Sequence, residues 1–384
     1  MTSSEGVKDM TSETSGQSRI SRRQLLGSAA LAGGGLAVGS ALGGVSPAFA
    51  AATKANGAFP SHPTWTFTLV NHVTTSEFFV PTRYGAQDAC DLFNCKYQWV
   101  GSVNSIVSEM VDAMNAAIDA KVDGIGVPVI DGNAFIAPTN RALAAGIPVL
   151  AYNTAAPTTT ADKNLQMCYI GQSLFQAGQL MGQQILDKMS KGNIVVFNPS
   201  PGSLNLQARA NGINDVIKKS GKPITVDNVA SAATLGEAVA AVKAYYAGHP
   251  KVNGMLCVDT LTMVGIIEVM QEHNLKGKIV TGSFDTIPQV VSGITSGYVD
   301  FTIYQQPYLQ GFLPILELFL YKVSGGLNIP SSVETGLSLI TKSNIGQFSK
   351  YTDRYEGSST AAKIIPVSGP IAVAAGDYPP TQLS

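Results

Sequence analysis

The sequence predicts an α/β fold with parallel central sheets, and three observations carry that prediction. From Trp65 onward, short apolar runs alternate with stretches whose apolar residues recur at helical spacing. The runs are nearly continuous, as in strands covered by helices on both faces of a parallel sheet. Polar residues also collect just beyond the C-terminal ends of predicted strands, the edge at which open α/β sheets bind ligands. A length of 384 residues allows one large domain or two of ordinary size.

The amino terminus does not read as fold. Met1 to Ala52 begins polar, continues through Ser21-Arg22-Arg23-Gln24-Leu25-Leu26 into a Gly/Ala-rich apolar run, and ends on Ser46-Pro47-Ala48-Phe49-Ala50. Paired arginines before a weakly apolar core, then small residues flanking Phe49, resemble a twin-arginine export signal over residues 1–50 with its cleavage site. The alternative is an uncleaved membrane anchor. On the export reading the mature chain begins near Ala51, in the periplasmic or cell-envelope space.

In the first half, strands are predicted at Trp65 to Asn71, Lys96 to Val100, Asp123 to Val129 and Ile147 to Asn153. Helices lie between them: one closing near Phe93, one from Asn104 to Ala120 carrying Ile106, Val107, Met110, Met114, Ala117 and Ile118, and one from Asn133 to Ala145 closed by Gly146. In the second half, Cys168 to Gly171, Asn193 to Pro199 and Gly254 to Asp259 read as strands, with helices at Gln172 to Met189, from Gln207, at Glu237 to Ala247 and at Leu261 to His273. The loop from Ser200 to Asn205 is turn-rich. A strand entering Gly282-Ser283-Phe284-Asp285 is followed by a helix with Pro288 in its first turn, where the missing N–H is harmless. A further strand, Val299 to Tyr304, runs into Gln305-Gln306-Pro307 and a long helix to Val323. Lys342 to Ser384 has few periods and many Ser, Thr, Gly and Pro, and reads as a surface tail.

Ser283-Phe284-Asp285 at one strand end and Gln305-Gln306-Pro307 at the next resemble the paired motifs of the periplasmic sugar-binding proteins of the ribose and galactose type. The resemblance runs from about Thr64 to Ile340. It implies the type I periplasmic binding protein fold: two Rossmann-like lobes joined by a three-stranded hinge. The lobes would be 60–170 plus 306–334 and 171–305 plus 335–345, with 346–384 as a tail. It also implies ligand contacts. Asp285 and Gln305 would bind sugar hydroxyls, and Phe78 beside Phe79, after Glu77, would stack on the sugar ring, whose C–H face suits an aromatic plane. Either phenylalanine could instead be core. The family has an acidic residue, often followed by Arg, where this chain has Asn153-Thr154. That departure opens the hydroxyl pattern to an acyclic polyol, a deoxy sugar or a different anomer. In Gln207-Ala208-Arg209-Ala210-Asn211-Gly212 two registers compete for the family's cleft arginine: Arg209, or Gln207 by a gapless match. Arg209 could also be a solvated helix charge. Asp259 would contact the sugar or cap the following helix.

The resemblance implies a binding module that closes on a monosaccharide or polyol and presents it to the membrane permease of an ABC transporter. The protein is expected to be a monomer with no cofactor. A formal net charge of −1 and 13% charged residues predict no nucleic-acid partner. No GxxxxGK[ST] is present, so ATP is not expected to bind by that loop. A hydrolase would need a nucleophile beside a base. No GxSxG elbow occurs, and His72 is the one histidine at a predicted strand-end site. A regulator of the two-lobe type would carry a helix-turn-helix where the export signal stands, whereas service to a sensory receptor would leave the same marks. An amino-acid binder would need a cationic and an anionic clamp, and the candidate set is richer in neutral and acidic acceptors. Cys90 and Cys95 flank a short turn and could form a local disulfide outside the membrane, while Cys168 and Cys257 read as buried thiols. The scattered histidines and the lack of a CxxC pair give no metal-site pattern.

Overall fold

The structure, a computed structural model, describes residues 59–155 and 166–346. The predicted export signal and the predicted tail beyond Gly346 lie outside the described residues. Among the described residues no helix is long and apolar enough to cross a membrane.

The first sheet contains β1 (Thr66–Asn71), β2 (Lys96–Gly101), β3 (Gly124–Val127), β4 (Val149–Tyr152), β5 (Tyr169–Gly171) and β11 (Ser332–Glu334), in the order β11-β5-β4-β3-β1-β2. All its pairings are parallel. Helices α1 (Val80–Phe93), α2 (Val107–Asp119), α3 (Ile136–Ala144) and α9 (Leu309–Val323) cover it. The second sheet has the order β12-β10-β9-β8-β6-β7, from β6 (Gly192–Asn198), β7 (Ile224–Ala230), β8 (Gly254–Cys257), β9 (Val280–Phe284), β10 (Phe301–Tyr304) and β12 (Ser338–Thr341). It packs α4 (Leu174–Lys188), α5 (Leu204–Ser220), α6 (Leu235–Gly248), α7 (Leu261–Glu272) and α8 (Pro288–Ser296). Separate apolar clusters form on each face of each sheet, which is why strands such as Val149–Tyr152 are buried throughout.

Three features depart from the sequence reading. The second sheet is not wholly parallel: β12 runs antiparallel to β10, from Phe301 opposite Thr341 to Tyr304 opposite Ser338. Strand β7 has no counterpart in the reading, because as an edge strand it exposes Asp227 and its apolar run is broken by Asp227-Asn228. Helix α5 starts at Leu204, three residues before Gln207, once Ser203 is extended with φ −66° and ψ 132°. Cys90 and Cys95 form no bridge; both are buried free thiols, as are Cys168 and Cys257. Asn94 ends α1 in the left-handed region, sending the Cys95 N–H back to the Cys90 carbonyl at 2.9 Å, and the Cys95 thiol donates to the Phe93 carbonyl. Burial pushes the Cys90 thiol up to about 12 and the Cys95 thiol to about 11.

The chain passes between the sheets three times: after β5, after β10, and between β11 and β12. These passages are bonded to one another. Gln172 donates to the Gly336 carbonyl at 3.0 Å, the Thr335 hydroxyl to the Gln305 carbonyl at 2.8 Å, and Gln306 to the Thr335 carbonyl at 2.5 Å. Glu334 accepts the N–H groups of Ser173 and Gly336.

The lobes also meet away from these passages. The N–H of Leu204, one of the unpaired donors in the first turn of α5, reaches the Ile130 carbonyl of the other lobe at 3.1 Å, and the Leu204 side chain packs on that lobe's apolar cluster. Leu204→Pro deletes this N–H, yet proline is well tolerated at a first helical position. Loss of one hydrogen bond shifts the balance of closed and open forms by about 1 kcal/mol. Small-angle scattering is expected to show a more expanded particle for Leu204→Pro than for wild type, with unchanged circular dichroism. Superimposable scattering curves would leave the contact without a closing role.

Candidate functional site

The C-terminal edges of the two sheets enclose a cavity. The first lobe lines it with His72, Val73, Ser76, Phe78, Phe79, Ser105 and Asn153. The second contributes Ser203, Asn205, Arg209, Ala232, Ala233, Asp259, Thr260, Leu261 and Asp285, and the passage after β10 contributes Gln305.

Asp285 stands one residue past β9, where the chain turns through φ +66°, a left-handed conformation that Asp tolerates better than most residues. Its N–H donates to the Ile303 carbonyl at 2.9 Å, and its carbonyl accepts the Thr302 hydroxyl at 2.7 Å. The side chain is thereby aimed across the sheet edge. Burial raises its pKa to about 6, against the opposing pull of Arg209 and the Gln305 amide.

A relay of amides leads away from this carboxylate. Gln305 Nε2 donates to Asp285 Oδ1 at 2.9 Å, Gln310 Nε2 to Gln305 Oε1 at 3.0 Å, and Asn153 Nδ2 to Gln310 Oε1 at 3.0 Å. All four residues are at most 5% exposed. The carboxylate can only accept, so Gln305 must turn its NH2 toward it. Gln310 must then donate to Gln305, and Asn153 must donate to Gln310. An acid at position 153 would set a second acceptor against Gln310 Oε1.

Arg209 is 4% exposed. It donates to the Val258 carbonyl at 3.0 Å and to Gln172 Oε1 at 3.2 Å, and its guanidinium lies 4.0 Å from the Phe284 ring centroid. Burial lowers its pKa, and Asp285 is the first of the groups that counter this. Helix α5 presents Arg209 here because it packs closely on α4. A Cβ at Gly212 would overlap the Phe175 carbonyl, and one at Gly178 the Arg209 carbonyl. Gln207, two positions earlier and so on another face of the helix, bonds Gly202 and Asn211 and does not line the cavity. Of the two registers, the structure puts Arg209 at the cavity.

Asp259 commits one of its two oxygens to the fold. Oδ2 accepts the Thr262 N–H at 2.9 Å at the start of α7, while Oδ1 is enclosed without a partner. The capping and cavity readings are compatible, and burial raises its pKa. The phenylalanines divide in a similar way. Phe79 is 2% exposed and packs in the first-lobe core, Phe78 is partly exposed, and both reach the cavity with ring centroids 4.6 Å apart in an edge-to-face pair.

Asn205, Ser203 and Thr260 are cavity residues that the sequence reading passed over. His72 entered that reading only as a conceivable base, although it follows β1 by the same strand-end rule that found Asp285. Of six buried, unpartnered side-chain polar atoms among the described residues, four belong to cavity residues: His72 Nδ1, Arg209 Nε, Asp259 Oδ1 and Thr260 Oγ1.

The chain belongs to the periplasmic binding protein family, whose domain model matches residues 67–321. It is 46% identical over 318 residues to the xylose/arabinose-binding protein XylF of Sulfolobus acidocaldarius, a match covering 80% of this chain and 78% of that one. It is 24% identical over 224 residues to a xylitol-binding protein of Mycolicibacterium smegmatis, covering 58% of this chain and 62% of that one. Among solved structures, an ABC transporter solute-binding protein from Burkholderia graminis in complex with D-arabinose superimposes with a TM-score of 0.70 at 25% identity, covering 77% of this chain and all of that one.

The relay yields a prediction. Asn153→Asp changes no volume but leaves the relay one proton short. It is expected to destabilise the unliganded protein at pH 7.5 by about 1–3 kcal/mol, the cost of an unpaired buried acceptor. The folded pKa of Asp285 is raised to about 6 from an ordinary 3.8, so its protonated folded form is favoured at low pH and lost as pH rises through 6. The deficit of the variant should therefore shrink between pH 7.5 and pH 4.5. Denaturant titrations at both values test this, and an equal deficit at both would remove the polarity argument.

Proposed function

We propose that this chain is an extracytoplasmic solute-binding protein that encloses a neutral monosaccharide or polyol between its lobes and delivers it to the permease of an ABC transporter. The observation that carries the reading is that four residues lining the cavity, Asp259, Thr260, Arg209 and His72, keep a buried polar atom without a partner. Buried polar groups of this kind cost free energy while unpaired, and a polyhydroxylated solute carries both donors and acceptors for a wall so rich in them. Two carboxylates beside one guanidinium disfavour an anionic ligand, and the Phe78–Phe79 wall suits a C–H face. The names of the relatives point to five-carbon compounds as first candidates.

On this reading residues 1–50 direct export by the twin-arginine route, the mature protein acts as a monomer, and the three passages between the lobes serve as a hinge. Gln305 and Asp285 grip the solute from the hinge side, Phe78, Phe79 and Asn153 from the first lobe, and Arg209 and Asp259 from the second.

Two measurements test the proposal. A thermal-shift screen of the exported form against pentoses, pentitols, hexoses and inositols is expected to give a hit among five-carbon compounds. A ligand at one hundred times its Kd adds about 2.7 kcal/mol of apparent stability. Asp285→Ala, assayed by calorimetry with the best ligand, is expected to lose at least about tenfold in affinity, roughly 1.4 kcal/mol. Wild-type affinity in that variant would remove Asp285 from the site.

A further inference from the structure

We propose that the end of the second lobe opposite the cavity is a docking surface for a membrane of anionic lipids, made by a field of lysines. The proposal goes beyond the solute-binding reading and does not depend on which solute the cavity takes.

Parallel strands all begin at one edge of their sheet, and the helices that join them run back to end at that same edge. The edge where β6, β7, β8 and β9 begin is therefore also where α4, α5, α6 and α7 end, opposite the edge that forms the cavity. Lysines collect there. Lys188 ends α4, and Lys218 and Lys219 stand in the last turn of α5. Lys191 precedes β6, Lys222 precedes β7, Lys251 precedes β8, and Lys276 and Lys278 precede β9. All of these except Lys222 are exposed. Four carboxylates share this end: Asp187, Asp215, Glu272 and Asp300. The corresponding end of the first lobe is balanced. Its Lys96, Lys121, Arg141 and Lys322 stand among Asp91, Asp119 and Asp123, with Arg141 paired to Asp119 and Lys322 to Asp123. In a chain of formal net charge −1, the basic field is thus confined to one pole.

The fold accounts for half of these lysines. A helix C-terminus attracts cations within its last turn, which covers Lys188, Lys218 and Lys219. Lys188 and Lys219 also pair with Asp300 at 3.7 Å and Asp215 at 2.9 Å, and Lys222 donates to the Leu186 carbonyl near the end of α4 at 2.8 Å. Lys191, Lys251, Lys276 and Lys278 lie beyond the helix ends, and none of them belongs to an ion pair among the described residues. The residue type identifies the partner. Arg209, at the cavity, is the only arginine between 171 and 305. Arginine's planar fork suits a fixed carboxylate or phosphate, whereas lysine is a flexible point charge. Lysines alone, spread over four connections, fit a partner whose anions are numerous, laterally mobile and not individually placed, as in a bilayer of acidic headgroups. The seven residues of β6 separate this end from the cavity by about 20 Å. That is roughly twice the Debye length of about 10 Å at 0.1 M salt. Contact through this pole therefore leaves the cavity open to solution and its electrostatics undisturbed.

The test is co-sedimentation of the exported form with vesicles of phosphatidylcholine alone or with about one third phosphatidylglycerol. It is run at about 0.1 M and about 1 M salt, where the Debye length is about 10 Å and 3 Å. Wild type is expected to sediment with the anionic vesicles at the lower salt, and to be released at the higher salt and from the neutral vesicles. Two double variants carry the same net charge: Lys191→Glu with Lys251→Glu at the proposed surface, and Lys96→Glu with Lys121→Glu at the first-lobe end. All four positions are exposed and outside ion pairs, so both proteins should keep the wild-type circular dichroism. The first pair is expected to lower partitioning at least about tenfold, and the second to leave it near wild type. The inference fails if wild type ignores anionic vesicles, if it binds neutral ones as well, or if both variants lose equally, as net charge alone would give. Retention of wild type by immobilised polyglutamate without vesicle binding would replace the lipid with an acidic polymer and overturn it too. None of these results bears on the cavity, whose solute binding is decided separately by calorimetry.

Discussion

The cavity depends on there being an acid at only one end of a buried chain of amides. Asp285 is acceptor-only when ionised, and from that single fact the orientations of Gln305, Gln310 and Asn153 follow in turn. The chain starts in the second lobe, runs through a passage between the lobes, and ends at the edge of the first sheet. Buried networks of this kind stabilise only when every member is satisfied, and here each amide donates to the next. The same network therefore orders side chains of the cavity wall and ties together the segments that pass between the lobes.

Around this network the charges are arranged by burial. Arg209 is held by a backbone carbonyl, a glutamine and an aromatic face instead of a direct ion pair, which leaves Nε unused at the cavity. Asp259 gives one oxygen to a helix start and keeps the other free. The site is thus assembled from groups already partly committed to the fold, and each is restrained before a solute enters. Restraint of this sort reduces the entropy lost on binding.

Much of the fold was legible because parallel strands buried on both faces write themselves as apolar runs, and all but one of the strands before Gln305 stood out. The exception was Ile224–Ala230, an edge strand that faces water and has no such run. The antiparallel Ser338–Thr341 was missed because two of its four residues are polar, and its place depends on pairing with a strand some forty positions earlier. Asp285, Gln305 and Asp259 could be found from strand ends alone. Gln310 could not, since it sits inside an apolar helix and its importance comes from partners at positions 153 and 305. The choice between Gln207 and Arg209 was one of register against the family's segment, and only the contacts decide it: Gln207 bonds Gly202 and Asn211, whereas Arg209 reaches the Val258 carbonyl and Gln172. His72 obeyed the strand-end rule but was weighed as a catalyst, whereas its lack of a partner is visible only in three dimensions.

Gly178 is not among the residues that line the interlobe cavity, yet its bare α-carbon abuts the main chain of Arg209. Any added methyl group there would push the whole backbone segment that carries the guanidinium. Preference among solutes could therefore be retuned from the back of a neighbouring helix, by volume instead of by chemistry. Comparing chains that differ at this one position would reveal how far shape alone, transmitted through a rigid contact, can rewrite selectivity without altering a single lining residue.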